Sequence, residues 1–161
     1  MTGGQTAFNV QSTPQVVRTT SMLNGRCVLT SPAELAVGST ALPIRTEPTG
    51  ARVQWDPGMN SKTCRVAYGT ADARLASALV DDINAAPPSK GNLACPNDDG
   101  SAVRLIFSYA DGTAFGPVII SLSGCRVVKA SGYATRDSTE KIQSSLATIA
   151  PRAWRSSLDG R

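Results

Sequence analysis

Four cysteines, at positions 27, 64, 95 and 125, are spread through a chain of 161 residues with no Cys-x-x-Cys pair among them. A disulfide requires its two Cα atoms within about 7 Å, so cross-links at this spacing force remote segments together and restrict the folds available. An even number of widely spaced cysteines reads as two disulfides, and disulfides belong to an oxidising compartment. The formal alternative is a four-cysteine zinc site. Structural zinc sites draw their thiolates from tight two-residue knuckles, and these cysteines stand about thirty residues apart.

The chain has no histidine. That removes the usual general base near neutral pH and the commonest metal ligand, and it excludes Ser-His-Asp and Cys-His arrangements. A Ser-Lys dyad has only Lys62, Lys90, Lys129 and Lys141 to draw on, none in a recognisable motif. There is no Gly-rich phosphate loop and no Asp-x-Asp-x-Asp-Gly calcium motif. The expectation is a chain that is not an enzyme and takes no cofactor and no metal.

Length suits one domain with its own core, which disulfides would reinforce rather than replace. Hydrophobic residues make up 41% and charged residues 17%, a globular balance, and with aromatics at 5% the core must be built from Ala, Val, Leu and Ile. The net charge of +4 comes from residues 126–161, which hold Arg126, Lys129, Arg136, Lys141, Arg152, Arg155 and Arg161 against three acidic residues. No run of adjacent basic residues or interleaved aromatics accompanies them, so a solvated face is expected and no nucleic-acid partner. Twelve Arg against four Lys, with abundant Ala, suits a GC-rich bacterial genome. No apolar stretch approaches the roughly 20 residues of a membrane-spanning helix. Met1-Thr-Gly-Gly-Gln5 resembles part of an expression-tag leader, which places any export signal outside this sequence.

Three segments follow: a flexible arm or leader over 1–13, a single α+β domain over 14–154, and a flexible tail over 155–161. Within the domain, Gln15–Thr20 and Cys27–Thr30 flank the turn signal Asn24-Gly25 and predict a hairpin. Ser31-Pro-Ala-Glu34 carries the elements of a capping box, but Gly38 stops it after about one turn. Ala41–Arg45 and Ala51–Trp55 predict a second strand pair across the Pro48-Thr-Gly50 turn, with Ala51, Val53 and Trp55 on one face and Cys64, Val66 and Tyr68 alternating likewise. A helix is predicted over 71–85, capped by Thr70 and closed by Pro87-Pro88, with Leu75, Leu79 and Ile83 on its buried face. Asp81 and Asp82 on that helix do not converge and read as solvated. A second helix is predicted over 139–150, capped by Asp137 or Ser138, with Ile142, Leu146 and Ile149 inward and Pro151 beyond its end.

The strongest hairpin signal joins Val103, Leu105, Phe107 and Tyr109 to Val118, Ile120 and Leu122 across Asp111-Gly112. Facing residues in an antiparallel pair have numbers that sum to a constant, here near 223, and Cys95 with Cys125 gives 220. The two cysteines therefore fall at adjacent strand ends, within reach of a disulfide. Pro117 cannot donate to a ladder, so the returning strand is an edge or is bulged there. Sequence allows three connectivities; with Cys95 joined to Cys125, elimination joins Cys27 to Cys64. The fold class expected is α+β, an antiparallel sheet of about five or more strands with two main helices packed on it and two disulfides.

Between Cys95 and that hairpin lies Pro96-Asn97-Asp98-Asp99-Gly100. Pro96 fixes φ, the three polar residues can turn the backbone through their side chains, and Gly100 completes the turn. A well-ordered loop is the plain expectation, and a rigid exposed loop is also what recognition uses, because preorganisation lowers the ordering cost of binding. The two aspartates could alternatively hold a cation weakly.

The stretch from Ala73 to Cys125 resembles the Streptomyces subtilisin-inhibitor family: an Ala-rich helix with Asp82-Ile-Asn-Ala85, then Cys95-Pro96, a hairpin turning at Asp111-Gly112, and the closing Cys125. It is also similar to uncharacterised actinobacterial exported or lipoprotein domains with a Cys-Pro-x-Asp-Asp-Gly loop and a later Gly-Cys-Arg, here Gly124-Cys125-Arg126. The resemblance covers about a third of the chain and implies an antiparallel sheet covered by helices. It also implies a protease-binding loop with Asn97 in the primary pocket and Asn97-Asp98 as the scissile bond. Asn followed by two Asp departs from the hydrophobic or basic residues that subtilisin-like and trypsin-like pockets favour, and burying Asp98 without a partner is costly.

Three functions are thus carried forward. The first is a non-catalytic, exported or cell-surface binding domain for a protein or cell-envelope ligand, acting through Pro96–Gly100. The second is a serine protease inhibitor using the same loop. The third is a carboxylate-dependent hydrolase relying on Asp98 or Asp99.

Overall fold

A computed structural model describes residues 20–23, 26–29, 37–38, 42–59, 66–90, 95–130 and 134–150. The expected arm over 1–13, the capped turn at 31–34, Cys64 and the tail over 155–161 lie outside the described residues. Nine strands and two helices are formed among them: β1 (Thr20–Leu23), β2 (Arg26–Leu29), β3 (Val37–Gly38), β4 (Gly50–Asp56), β5 (Ala67–Asp72), α1 (Ala73–Ala85), β6 (Ala102–Ser108), β7 (Ala114–Ser121), β8 (Val127–Ala130), β9 (Ala134–Asp137) and α2 (Glu140–Ile149).

β1 and β2 pair as a hairpin on either side of Asn24-Gly25, with Leu23 facing Arg26, but the first strand is Thr20–Leu23 and not the expected Gln15–Thr20, of which only Thr20 is described. The main sheet is antiparallel, runs in the order β5-β4-β6-β7-β8-β9, and gains the short β3 against β7. This is the α+β class expected.

One face of the sheet makes the core. Ala51, Val53 and Trp55 of β4, Val103, Leu105 and Phe107 of β6, Phe115, Val118 and Ile120 of β7, and Val128 and Ala130 of β8 share a cluster with Ala76, Leu79, Val80 and Ile83 of α1 and Ile142, Leu146 and Ile149 of α2. The strand members repeat every two residues and the helix members every three or four, so both periods aim at one layer. Each fully buried Leu- or Ile-sized side chain contributes roughly 1.5–3 kcal/mol.

The expectations needed revision at four further places. Of the expected strand Ala41–Arg45, the described residues 42–45 do not pair with β4; residues 42–49 follow an irregular path, and β4 lies between β5 and β6. The reason is a side-chain substitute for a strand: the Asn84 amide of α1 donates to Ile44 O at 2.7 Å and accepts from Ile44 N at 2.8 Å. On β5, Ala67 and Ala71 join the core cluster and, with Gly69, lie opposite Trp55, Ala51 and Val53, whereas of the expected alternation Val66 is fully buried but outside that cluster and Tyr68 is half-buried. Small residues are needed at 67, 69 and 71 because α1 begins directly after β5 and folds back on it.

Helix α1 starts two residues later than predicted, since Ala71 and Asp72 still belong to β5. Asp72 rather than Thr70 caps it, accepting from Leu75 N at 2.9 Å. Helix α2 is capped by Thr139 instead of Asp137 or Ser138.

The β6–β7 hairpin keeps the predicted register: facing numbers sum to 223 from Ala102↔Ser121 through Leu105↔Val118, then to 222 at Phe107↔Phe115. The step is a bulge, with Gly116 and Pro117 opposite Ile106. β7 is no edge, because β8 and β3 share its far side. Only glycine fits at 116, where φ is +143° and a Cβ would meet Leu105 O at 2.6 Å. Proline is tolerated next to it because a bulge releases it from donating to the ladder.

Candidate functional site

Cys95 precedes β6 and Cys125 follows β7, so the hairpin register delivers them side by side. They are joined, with Cα atoms 5.1 Å apart. The Cys27–Cys64 pairing involves a residue outside the described set.

The disulfide is the first of several ties on the loop that follows it. Leu122 N donates to Ser101 O at 2.9 Å, which extends the hairpin ladder to the foot of the loop. Met59 N, just past the end of β4, donates to Asp99 O at 2.6 Å. This approach depends on Gly58, whose φ is +73°. A Cβ there would stand 2.7 Å from Ser101 N and 2.8 Å from Asp99 O.

From the β7–β8 turn, Ser123 Oγ donates to Asp99 Oδ1 at 2.6 Å, with Asp98 Oδ1 at 3.2 Å as a second acceptor, and itself accepts from Asp99 N at 3.1 Å. Inside the loop, Asp98 Oδ1 accepts from Gly100 N and Asp99 Oδ1 from Ser101 N, each at 2.9 Å. Burial pushes the Asp99 carboxyl upward, but the hydrogen bonds from Ser123 and Ser101 outweigh it and hold the group below the ordinary aspartate value.

The predicted site residues thus separate into frame and tip. Asp99 is half-buried and structural, whereas Pro96, Asn97, Asp98 and Gly100 are exposed. Asn97 adopts φ +64° and Gly100 φ +75°. Asparagine is among the few side chains that tolerate the left-handed region. Arg126, directly after the second cysteine, takes φ +44° and has no such excuse. Backbone strain of this kind gathers at sites where the surroundings over-determine the conformation. Met59, 39% exposed and the exposed large hydrophobic residue among those described, lies beside the loop through its bond to Asp99.

Beneath this end of the sheet, Asp56 is fully buried and pairs with Arg104, Oδ2 to Nε at 2.5 Å, while Gln54 Nε2 donates to its other oxygen at 2.6 Å. The pair fixes the end of β4 from which Gly58 and Met59 depart.

Ser123, Gly58, Met59 and the Asp56–Arg104 pair were not found by sequence reasoning. Pro57-Gly58 is a turn signal and Ser123-Gly124 adjoins a cysteine, but neither pattern says which loop it will meet.

The arrangement limits the chemistry. A carboxylate hydrolase needs a second acidic group facing Asp98 or Asp99 across a substrate. Here the Oδ1 atoms of both are engaged in turns and share one serine. Among the described residues no three Asp, Glu, His or Cys side chains are grouped to hold a metal ion. No helix among the described residues is long and apolar enough to cross a membrane. No protein-family model, curated protein sequence or solved structure matches this chain.

Proposed function

We propose that this chain is a non-catalytic recognition domain, exported or displayed at the cell surface, whose Pro96–Gly100 loop engages a protein or cell-envelope ligand. The carrying observation is the division of the loop into a frame tied by Ser123, Met59 and the Cys95–Cys125 disulfide and a tip of exposed side chains. A tip already ordered before binding loses little conformational entropy on contact. Export is supported by that disulfide, and a Cys27–Cys64 link belongs to the same proposal.

The test is binding of the labelled domain to actinobacterial envelope fractions, with a Pro96→Ala/Asn97→Gly variant of unchanged urea midpoint as comparison, glycine being compatible with the left-handed backbone at 97. Loss of binding in the variant is expected; equal binding by both proteins, or none by either, refutes recognition through this loop.

Protease inhibition is the second reading, favoured by a loop anchored immediately after a disulfide cysteine. It is ranked lower because a scissile bond is presented in extended backbone, whereas Asn97 has φ +64°. Subtilisin, trypsin and an Asn- or Asp-directed protease, each incubated with micromolar domain, decide it: undiminished activity of all three removes the reading.

A further inference from the structure

The chain contains three Asp-Gly steps, at 99–100, 111–112 and 159–160, the last outside the described residues. In an Asp-Gly step the following amide nitrogen can attack the aspartate Cγ, because glycine has no side chain to obstruct it. The nitrogen–Cγ bond forms on the carboxyl in its protonated form, whose hydroxyl leaves as water with the amide proton, giving a succinimide. Water then reopens the ring. When it adds at the backbone carbonyl, the chain continues through Cβ as isoaspartate, at unchanged mass and with no oxidant or cofactor.

Attack requires the amide to give up its proton and Cγ to swing onto nitrogen. Both motions are opposed at Asp99. Gly100 N–H is engaged by Asp98 Oδ1 at 2.9 Å, and Asp99 Oδ1 is held by Ser101 N at 2.9 Å and by Ser123 Oγ at 2.6 Å. The peptide groups on each side are pinned as well, Asp99 N by Ser123 Oγ at 3.1 Å and Asp99 O by Met59 N at 2.6 Å.

Asp111 is guarded by different groups. Its Oδ1 accepts from Thr113 N and Oγ1, its Oδ2 pairs with Arg45, and Gly112 N donates to Tyr109 O.

We infer that Asp99–Gly100 is a latent isoaspartyl modification site in the displayed loop, and that Ser123 is the lock that gates it. Conversion would insert a methylene into the backbone between the loop tip and Ser101, so a single opening event left uncorrected would permanently reshape the tip. The inference does not depend on what the loop binds.

The test is ageing of the folded protein at pH 7.4 and 37 °C, with isoaspartate assigned residue by residue by peptide mapping; site resolution is needed because Asn24-Gly25 can also convert. Ser123→Ala is expected to raise the rate at Asp99 about tenfold, the order for losing one hydrogen bond to a charged group, and to leave Asp111 unchanged. Ser123→Thr, which keeps the hydroxyl, should stay near the wild-type rate. The wild type unfolded in guanidinium with its disulfides reduced should convert at Asp99 at least tenfold faster than the folded protein, an arm that decides the question even if Ser123→Ala does not fold. An equal rate in folded and unfolded wild type, an unchanged Asp99 rate in folded Ser123→Ala, or an equal rise at Asp111 overturns the inference.

Discussion

At Gly58 the backbone turns left-handed against the loop with no room for a methyl group, and at Gly112 it turns left-handed in open space. The two positions separate steric cost from conformational cost. Gly112→Ala meets only the penalty of a positive φ, about 1 kcal/mol. Gly58→Ala adds displacement of Asp99 and Ser101, so a loss of roughly 2–4 kcal/mol is expected in urea unfolding.

A second prediction concerns pH. Asp99 and Asp111 both titrate below their ordinary value of 3.8 in the folded chain, Asp99 through Ser123 and Ser101 and Asp111 through Thr113 and Arg45. Since the folded state favours the ionised form, their contribution is complete above that value and is lost as pH falls through the lower folded values. Urea midpoints should hold steady from pH 7 to 5 and fall below about pH 4, and Ser123→Ala should reduce the fall. An identical profile for the variant would remove Asp99 from the account.

At the scale of elements, the hydrophobic periods foretold both helices and the strands of the central hairpin, because burial on one face writes itself into every second or every third and fourth residue. They could not say where β5 yields to α1, since Ala71 and Asp72 suit either, nor that Asn84 would supply Ile44 with the hydrogen bonds of a strand. The Asp56–Arg104 pair was equally illegible, for an Asp and an Arg 48 positions apart carry no local sign of partnership. Breaking it leaves a charge stranded: Asp56→Ala should cost about 3–5 kcal/mol by chemical denaturation. The double replacement Asp56→Leu/Arg104→Met should recover most of that loss, and if it does not, the cost came from packing rather than from the unpaired guanidinium.

On the scale of the whole molecule, the Cys95–Cys125 disulfide closes the chain across a separation of 30 residues, worth roughly 3.5 kcal/mol in the chain-entropy account. Cys95→Ala/Cys125→Ala should therefore lower the urea midpoint substantially. The variant should still show the Ser123–Asp99 contact by NMR, because the hydrogen bonds from Leu122, Met59, Gly100 and Ser101 shape the loop without the sulfurs. The location of the loop was readable in advance because turn residues and hairpin numbering are local arithmetic. Its support was not, because Met59 and Ser123 reach it from just beyond the ends of β4 and β7, strands whose pairing only the assembled sheet decides.

That support has a consequence for how such a chain can diversify. The bonds that hold the loop run through backbone groups of Met59, Asp99, Ser101 and Leu122 and through side chains at 98, 99 and 123, while the side chains at 96 and 97 lie at the exposed tip. Two positions can therefore be rewritten as letters in a fixed frame, position 97 within the small alphabet of Gly, Asn and Asp that a left-handed backbone accepts. A two-site library on this domain should keep its melting behaviour nearly constant while its targets change, the separation of stability from specificity that a display scaffold requires.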